Sequence, residues 1–293
     1  AAIQKKDPSF SIQKLDYDDA VTYKMLGQGE TEGVFQLESS GMKQVLVGLQ
    51  PQNLEDVIAL ISLYRPGPMD SIPTYLRNRH EPDKISYKTP QLAHILDVTN
   101  GCIVYQEQVM QIFRELAGFS FGQADNVRRA MSKKKHAVME AEREHFVHGC
   151  TEPGHECPGC VANGISEEVA NEIYDEMSSF ASYAFNKSHA ACYAYVAFQT
   201  AYLKCHYPSE FMAALLTSVL DNTDKVIEYS GECARLGIKV LPPDVNISNG
   251  GFTADNGKIR FGLNAVKNVG RNLIERVVEE RKEKPYSSLY DFC

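Results

Sequence analysis

Apolar residues at helical spacing run through most of this chain, and they constrain its fold more than any other feature. Within residues 51–64 one helix face is marked at i, i+3, i+4 and i+7 by Leu54, Val57, Ile58 and Ile61. The run RPGP at 65–68 then ends the helix, because proline and glycine do not continue it. Similar patterns predict helices over residues 104–116, 123–131, 136–148, 167–180, 189–206 and 208–220. Residues 70–102, with three prolines, and the loop at 149–164 are predicted to be irregular.

The pattern changes after Leu236. Residues 238–241 have the composition of a strand, and residues 251–261 fit a β-hairpin with an Asn256-Gly257 turn. A helix is predicted from about Arg271 to Lys282. The predicted fold is therefore mostly α: a large helical domain, then a small mixed α/β module with a β-hairpin, with a boundary near residues 220–237.

Composition places the chain among ordinary globular proteins. It has 293 residues, of which 43% are hydrophobic and 23% charged. No apolar run approaches the ~20 residues that span a bilayer, and the N-terminus lacks the apolar core of a signal peptide. The missing initiator methionine predicts a piece of a longer chain. Eight cysteines in a chain of this length predict reduced thiols and a cytoplasmic location.

The net charge of −8, taken alone, argues against a nucleic-acid-binding protein. Local clusters of charge decide what a surface binds, however. Residues 128–135 hold five cations and no acid: Arg128, Arg129, Lys133, Lys134 and Lys135. A triphosphate needs several cations that converge on its oxygens, so this stretch is a candidate anion site. The alternative is a solvated, charged helix face.

A second candidate anion site is the FNKSH segment at 185–189, just before a predicted helix. Helix N-termini offer unpaired N–H groups and the positive end of the dipole, which suit phosphate. Ser188 is the predicted N-cap, and Asn186, Lys187 and His189 add donors beside it. Tyr183, Tyr193 and Tyr195 offer flat faces on which a base could stack. The alternative is a capped helix with a structural histidine.

Two further clusters could hold metal ions. Asp16, Asp18 and Asp19 could bind Mg²⁺, but their place before a helical stretch favours capping. In the loop that follows residue 148, Cys157 and Cys160 form a C-x₂-C knuckle that could bind structural Zn²⁺. Its further ligands would come from Cys150 and His155, or from His148. The alternative is a loop with incidental thiols.

Residues 261–271 have the spacing of a helix-hairpin-helix, in which a glycine-containing turn joins two short helices. The backbone N–H groups of such a turn can face a DNA phosphate whatever the base sequence. The candidate DNA-binding residues are Lys267, Asn268, Gly270 and Arg271. Many other helix–helix turns contain glycine, so an ordinary turn is the alternative.

Six motifs, in order, give residues 15–293 a resemblance to the alpha subunits of bacterial DNA polymerase III, the C-family replicases. They are EGVFQLESSGM at 32–42, RPGP at 65–68, YQEQVM at 105–110, RRAM with KKK at 128–135, FNKSH at 185–189 and LPPDVN at 241–246. The resemblance implies that residues 1–19 lead in from the palm. Residues 20–220 would form the fingers domain, which closes over the incoming dNTP. Residues 221–293 would begin the helix-hairpin-helix module, which grips primer-template DNA.

In such a protein, the basic residues at 128–135 and residues 186–189 would face the nucleotide. The catalytic aspartates of the family lie in the palm, and none of their motifs is present here. Mg²⁺ would therefore be held outside this chain in the full enzyme, and the isolated piece is expected to be inactive. Other replicase subunits and the sliding clamp would bind through the parent chain. The cysteine-rich loop at 149–161 departs from the family pattern. The rival hypothesis is a stand-alone helix-hairpin-helix module for DNA binding or repair.

Overall fold

The computed structural model describes residues 2–133, 136–181 and 185–293. The predicted mostly helical fold is confirmed. Its helices are Ala2–Lys6 (α1), Ala20–Gly27 (α2), Ser40–Leu49 (α3), Leu54–Leu63 (α4), Ile72–His80 (α5), Ala93–Leu96 (α6), Gln106–Ala117 (α7), Phe121–Ser132 (α8), His136–His148 (α9), Gly159–Ala162 (α10), Glu167–Ala181 (α11), Lys187–His206 (α12), Pro208–Ser218 (α13), Thr223–Arg235 (α14), Arg271–Glu280 (α15) and Leu289–Phe292 (α16). The strands are Val240–Leu241 (β1), Thr253–Asp255 (β2) and Lys258–Arg260 (β3). Among the described residues, none of the helices combines the length and the apolar character needed to cross a bilayer.

The chain forms two compact units, one of residues 44–195 and the other of Ala1–Lys43 with Val196–Cys293. The core of the first unit lies where α7 packs against α8, α9 and α11. Helix α7 buries one stripe at helical spacing, namely Val109, Ile112, Phe113 and Leu116. The ring of Phe113 lies 5.0 Å from that of Phe146 and 6.0 Å from that of Tyr174, edge to face in both cases.

A buried glutamine fixes the first turn of α7. The Gln108 side-chain oxygen accepts hydrogen bonds of 2.9 Å from the N–H groups of Val104 and Tyr105. Its amide nitrogen donates to the carbonyl of Ile95 at 3.1 Å and to the hydroxyl of Thr99 at 2.7 Å. All of the amide's strong hydrogen-bonding groups are thus used inside the core, where an unmade bond would be costly. This network holds the start of α7, which carries residues 106 and 107, in one position.

In the second unit, the C-terminal sheet has the order β1-β3-β2. Strands β2 and β3 form the predicted antiparallel hairpin, and β1 pairs with β3 in parallel. The predicted turn is confirmed: Asn256 and Gly257 have φ of +48° and +75°, as a tight hairpin turn requires. Helices α13 and α14 pack on this sheet through a core that includes Met212, Leu216 and Ile259. The family-based boundary near residue 220 remains a prediction.

Candidate functional site

The two arginines of the first candidate site lie in the last turns of α8 and share one acid. Arg128 donates from Nε and Nη2 to Oδ1 of Asp125, at 3.0 and 2.7 Å. Arg129 donates from Nε to Oδ2 of the same carboxylate at 2.7 Å. Hydrogen bonds from Arg128, then its charge and the contact with Arg129, hold the pKa of Asp125 below its usual value. Residues 128–135 contain no acid of their own, but Asp125, one helical turn before both arginines, compensates their charge.

One further cation of this stretch lies at the end of α8. Lys133 is the C-cap residue and is exposed. Lys134 and Lys135 lie outside the described residues.

Helix α12 begins two residues earlier than predicted, and its N-cap is Asn186 rather than Ser188. The side-chain oxygen of Asn186 accepts the His189 N–H at 2.9 Å. Ser188 lies inside the first turn, where a residue already has helical backbone angles and cannot act as the cap. The prediction of Ser188 as the N-cap is therefore wrong, whereas the predicted end of the helix at His206 is confirmed.

Two carboxylates already occupy the start of α12. The Lys187 N–H donates to both carboxylate oxygens of Glu107, each at 3.2 Å. The Asn186 side-chain amide donates to the same group at 3.1 Å. The Lys187 ammonium forms an ion pair of 2.9 Å with Glu55. The N-terminus of α12 thus holds an anion that is a side chain of the same protein, and phosphate binding there stays a prediction.

The two candidate segments meet at the first turn of α7. Arg128 Nη1 donates to the side-chain oxygen of Gln106 at 3.0 Å, and the next residue, Glu107, holds Asn186. The Gln106 N–H also donates to the Phe185 carbonyl at 3.0 Å. A cleft of about 520 Å³ is lined by Arg128, Asn186, Gln106 and Glu107, together with other residues of α7 and α8. Segments far apart in the sequence therefore share one cavity.

Aromatic rings lie next to the start of α12 and along one of its faces. The Phe185 and His189 rings are 5.3 Å apart, and the His189 and Tyr193 rings are 4.6 Å apart. The guanidinium of Arg65, from the RPGP motif, lies 4.3 Å from the centre of the Phe185 ring. Tyr195 is largely exposed, and Tyr183 lies outside the described residues. Flat faces suited to stacking thus lie beside the charged donors.

Of the aspartates at 16–19, Asp19 behaves as the capping hypothesis predicts. Asp19 is the N-cap of α2, and its carboxylate accepts the Thr22 N–H at 2.8 Å. It also accepts a hydrogen bond of 2.9 Å from His206. Burial alone would raise the pKa of Asp19, but the bonds from Thr22 and His206 outweigh it and hold that pKa below its usual value. The interpretation as a helix cap is confirmed.

The structure does not bring the predicted zinc ligands together. Among the described residues, no three side chains of the types His, Cys, Asp or Glu are arranged to hold a metal ion. Cys157 and Cys160 are buried in the core of the first unit, whereas His155 is exposed. Cys150 instead pairs with Cys157 through backbone hydrogen bonds of 2.9 Å. The thiols thus serve as small apolar groups under the loop.

The first helix of the predicted helix-hairpin-helix is reduced to a single turn. One 3₁₀ turn, Leu263–Ala265, replaces the first of the two expected helices, and the second helix is α15. In the turn, Asn268 has a φ of +65°, and Gly270 is the N-cap of α15. Lys267, Asn268, Gly270 and Arg271 are all exposed. Arg271 donates to both oxygens of Asp221, at 3.0 and 2.8 Å. The turn can therefore present its backbone to a ligand, although one of its cations is already paired.

Sequence reasoning missed the acids and the glutamine that organise this site. Asp125 could have been found, because it stands three and four residues before the two arginines. Glu55 and Glu107 reach α12 from distant parts of the chain, and no local pattern marks either contact. Gln106 and Glu107 do lie within the YQEQVM motif.

Comparisons with known proteins agree with this architecture. Residues 1–154 match the model of the bacterial DNA polymerase III alpha subunit finger domain, and residues 237–293 match that of a helix-hairpin-helix motif. The DNA polymerase III subunit alpha of Bacillus subtilis is 44% identical over 290 residues, which is 99% of this chain and 25% of the relative. That of Thermus aquaticus is 48% identical over 295 residues, covering 99% of this chain and 23% of the relative. The chain thus spans about a quarter of the length of these relatives. It belongs to the family of bacterial DNA polymerase III alpha subunits.

Proposed function

We propose that the cleft formed by α7, α8 and the start of α12 binds the triphosphate of an incoming dNTP within a replicative DNA polymerase. The observation that carries this proposal is that Arg128 and Asn186, from separate segments, line the same cavity. Arginine presents a rigid fork of donors that fits phosphate oxygens. Backbone and side-chain N–H groups at the start of α12 add donors of a second kind.

The reaction of the parent enzyme is template-directed phosphoryl transfer. The primer 3′-hydroxyl attacks the α-phosphorus, and pyrophosphate leaves. In the full enzyme, Mg²⁺ held by carboxylates outside this chain would supply charge stabilisation at the reacting oxygens. The residues of this chain hold the β- and γ-phosphates, so that the α-phosphorus stays in line with the attacking hydroxyl. The rings of Phe185, His189 and Tyr193 offer stacking surfaces for the nucleotide base next to the start of α12.

The helix-hairpin-helix module contributes a second contact, with the backbone of primer-template DNA. This part of the proposal rests on the turn at 266–270, in which Lys267, Asn268 and Gly270 are exposed, and on the exposed Arg271 beside it. Such a contact is independent of base sequence and sensitive to salt. We expect Arg271→Ala to lower DNA affinity and to reduce the slope of log affinity against log salt by about 1. A variant of the hairpin, Lys258→Ala, is the control, and an unchanged slope for Arg271→Ala would contradict the proposal.

Contacts with the sliding clamp and with other replicase subunits belong to the parent chain. The rival hypothesis of a stand-alone helix-hairpin-helix module has little support, because the finger-domain match covers residues 1–154. We expect the isolated chain to show neither polymerase nor nuclease activity, with only weak, salt-sensitive DNA binding. Nuclease activity in a pure preparation would favour the rival.

The nucleotide proposal is tested in the full-length polymerase with Arg128→Ala and Lys187→Ala. We expect each change to raise the KM for dNTP about tenfold or more, because Arg128→Ala removes a charge-assisted hydrogen bond to phosphate and Lys187→Ala removes the ammonium next to the N–H groups that hold the phosphate. DNA affinity should change less than the KM. Lys84→Ala, which removes an exposed lysine paired with Glu81 in the same unit, is the matched control. Unchanged nucleotide KM and kcat in both variants would contradict the proposal.

A further inference from the structure

The anion-binding groups of the cleft are already bound to carboxylates of the same chain. Asp125 holds the guanidinium groups of Arg128 and Arg129, and Glu107 holds the start of α12. Both acids line the same cleft as Arg128 and Asn186. A triphosphate that entered this cleft would meet two negative charges at the places where its own oxygens should bind. The two acids differ in how many hydrogen-bond donors they leave for a ligand.

Asp125 leaves donors of Arg128 available. A guanidinium has five N–H donors, and Arg128 gives Nε and one donor of Nη2 to Asp125 and one donor of Nη1 to Gln106. Its remaining donors can bond a phosphate while Asp125 stays in place. The carboxylate also fixes the orientation of the side chain, which reduces the entropy lost when a ligand binds. Asp125 is therefore a positioning residue for the arginines.

Glu107, by contrast, leaves no hydrogen-bonding capacity at the backbone N–H that it holds. A backbone N–H has a single proton, and that of Lys187 is shared between the two oxygens of Glu107. The Asn186 amide adds a third bond to the same carboxylate. This set of donors at the first turn of a helix is the one that a phosphate would use. Phosphate and Glu107 therefore cannot both bond to the Lys187 N–H.

Glu107 can leave this position at little cost. The residue is exposed, so its carboxylate can rotate into water without being desolvated. Gln108, the next residue, is buried and held by four hydrogen bonds, so the backbone of the turn stays fixed while the Glu107 side chain moves. The side chain can thus exchange with a ligand on an otherwise rigid helix start.

We propose that Glu107 is an internal substitute for a nucleotide phosphate. It occupies the anion position at the start of α12 when no nucleotide is bound, the triphosphate displaces it, and it returns as pyrophosphate leaves. Glu107 thereby weakens nucleotide binding and assists product release, whereas Asp125 strengthens nucleotide binding. This inference rests on the function proposed above.

The test uses two changes that each remove one negative charge from the cleft of the full-length polymerase. We expect Glu107→Gln to lower the KM for dNTP about three- to tenfold and to strengthen inhibition by pyrophosphate by a similar factor, because its competition with phosphate is weakened. We expect Asp125→Asn to raise the KM for dNTP, because Arg128 loses its orientation. The control is Glu172→Gln, which makes the same charge change in a surface ion pair with Lys88; its KM should not change.

The opposite signs distinguish the proposal from simpler explanations. A general effect of negative charge would lower the KM in both variants, and a purely structural role for both acids would raise it in both; either result overturns the proposal. If Glu107→Gln does not fold, Glu107→Asp keeps the charge but shortens the side chain, and it should also lower the KM. If Arg128→Ala and Lys187→Ala leave the KM unchanged, the nucleotide site itself is wrong. If they raise it while Glu107→Gln does not lower it, only the present inference fails.

Discussion

Lys204 and Glu232 form an ion pair of 2.7 Å in which the side chains are only 0% and 4% exposed. The Lys204 ammonium also donates to the backbone carbonyls of Glu30 and Glu32, each at 2.9 Å. Glu232 receives further hydrogen bonds from Arg235. The EGVFQLESSGM motif begins at Glu32, so this buried network joins the start of that motif to α12 and α14 within one unit.

Replacing the buried lysine should destabilise that unit strongly. Lys204→Met removes the positive charge, leaves the carbonyls of Glu30 and Glu32 without this donor, and leaves Glu232 with only its bonds to Arg235. We expect a loss of about 3–5 kcal/mol in the free energy of unfolding, measured by chemical denaturation, because removing one partner of a buried ion pair is costly. Lys239→Met, at an exposed position of the same unit, should change stability by less than about 0.5 kcal/mol. Equal stability of the two variants would contradict this interpretation of the pair.

The same pair predicts how stability depends on acid. Burial alone would raise the pKa of Glu232, but hydrogen bonds from Arg235 and Lys204 outweigh it and hold the pKa below the usual value of 4.5. A carboxylate with a lowered folded-state pKa stabilises the protein above its unfolded-state pKa. That contribution should be lost as the pH falls from about 4.5 through the folded-state pKa of Glu232. Denaturation curves at pH 6 and pH 4 measure this contribution. Between these pH values, the free energy of unfolding should fall less in Glu232→Gln than in the unchanged chain.

A glycine at the end of α7 should be far less replaceable than one at the start of α8. Gly118 has a φ of +74°, and a Cβ there would lie 2.5 Å from the Pro158 ring. Gly118→Ala should therefore cost about 1–3 kcal/mol through backbone strain and overlap. Gly122 has open space around it, and Gly122→Ala should be neutral or stabilising by up to about 1 kcal/mol. The melting temperatures of the two variants test this difference. A similar shift in both would show that the end of α7 does not pack against Pro158.

The thiols of the cysteine-rich loop should be protected by packing. Burial raises the pKa of Cys160 to about 12, with a smaller effect from Cys157. We expect Cys157 and Cys160 to react with a thiol reagent at pH 8 roughly two orders of magnitude more slowly than the exposed Cys192. A chelator should leave these rates unchanged. Faster labelling of Cys157 and Cys160 after chelation would show instead that zinc protects them.

Local sequence patterns predicted much of the fold, and the errors have physical reasons. The helices α7, α8, α9 and α11 and the hairpin follow apolar periods and turn residues, and they lie where these signals place them. Helix α5 was missed because Pro73 suggested irregular structure. That proline lies in the first turn of α5, where its missing N–H costs nothing. Helix α14 lies in the stretch predicted to hold the boundary, and Asn222 caps it.

Local patterns predicted less of the candidate site. The sequence motifs identified Arg128 and Lys187 as candidate nucleotide-binding residues, but they could not show that both side chains are paired with acids. Lys187 is bound by Glu55 and Glu107 from distant segments, and a pattern along one segment carries no information on such contacts. The error in the predicted N-cap has a similar origin. Asn186 and Ser188 are both good capping residues, and only the tertiary contact of Asn186 with Glu107 shows where the helix begins.

The central claim is that Arg128 and the start of α12 bind the same triphosphate. A double-mutant cycle in the full-length polymerase tests it most directly, with Arg128→Ala, Lys187→Ala and the double variant compared by kcat/KM for dNTP. Residues that hold one ligand together should be coupled, and we expect the combined loss to differ from the sum of the separate losses by at least about 1 kcal/mol. Losses that add within about 0.3 kcal/mol would mean that the two residues act independently, and this would contradict a shared site.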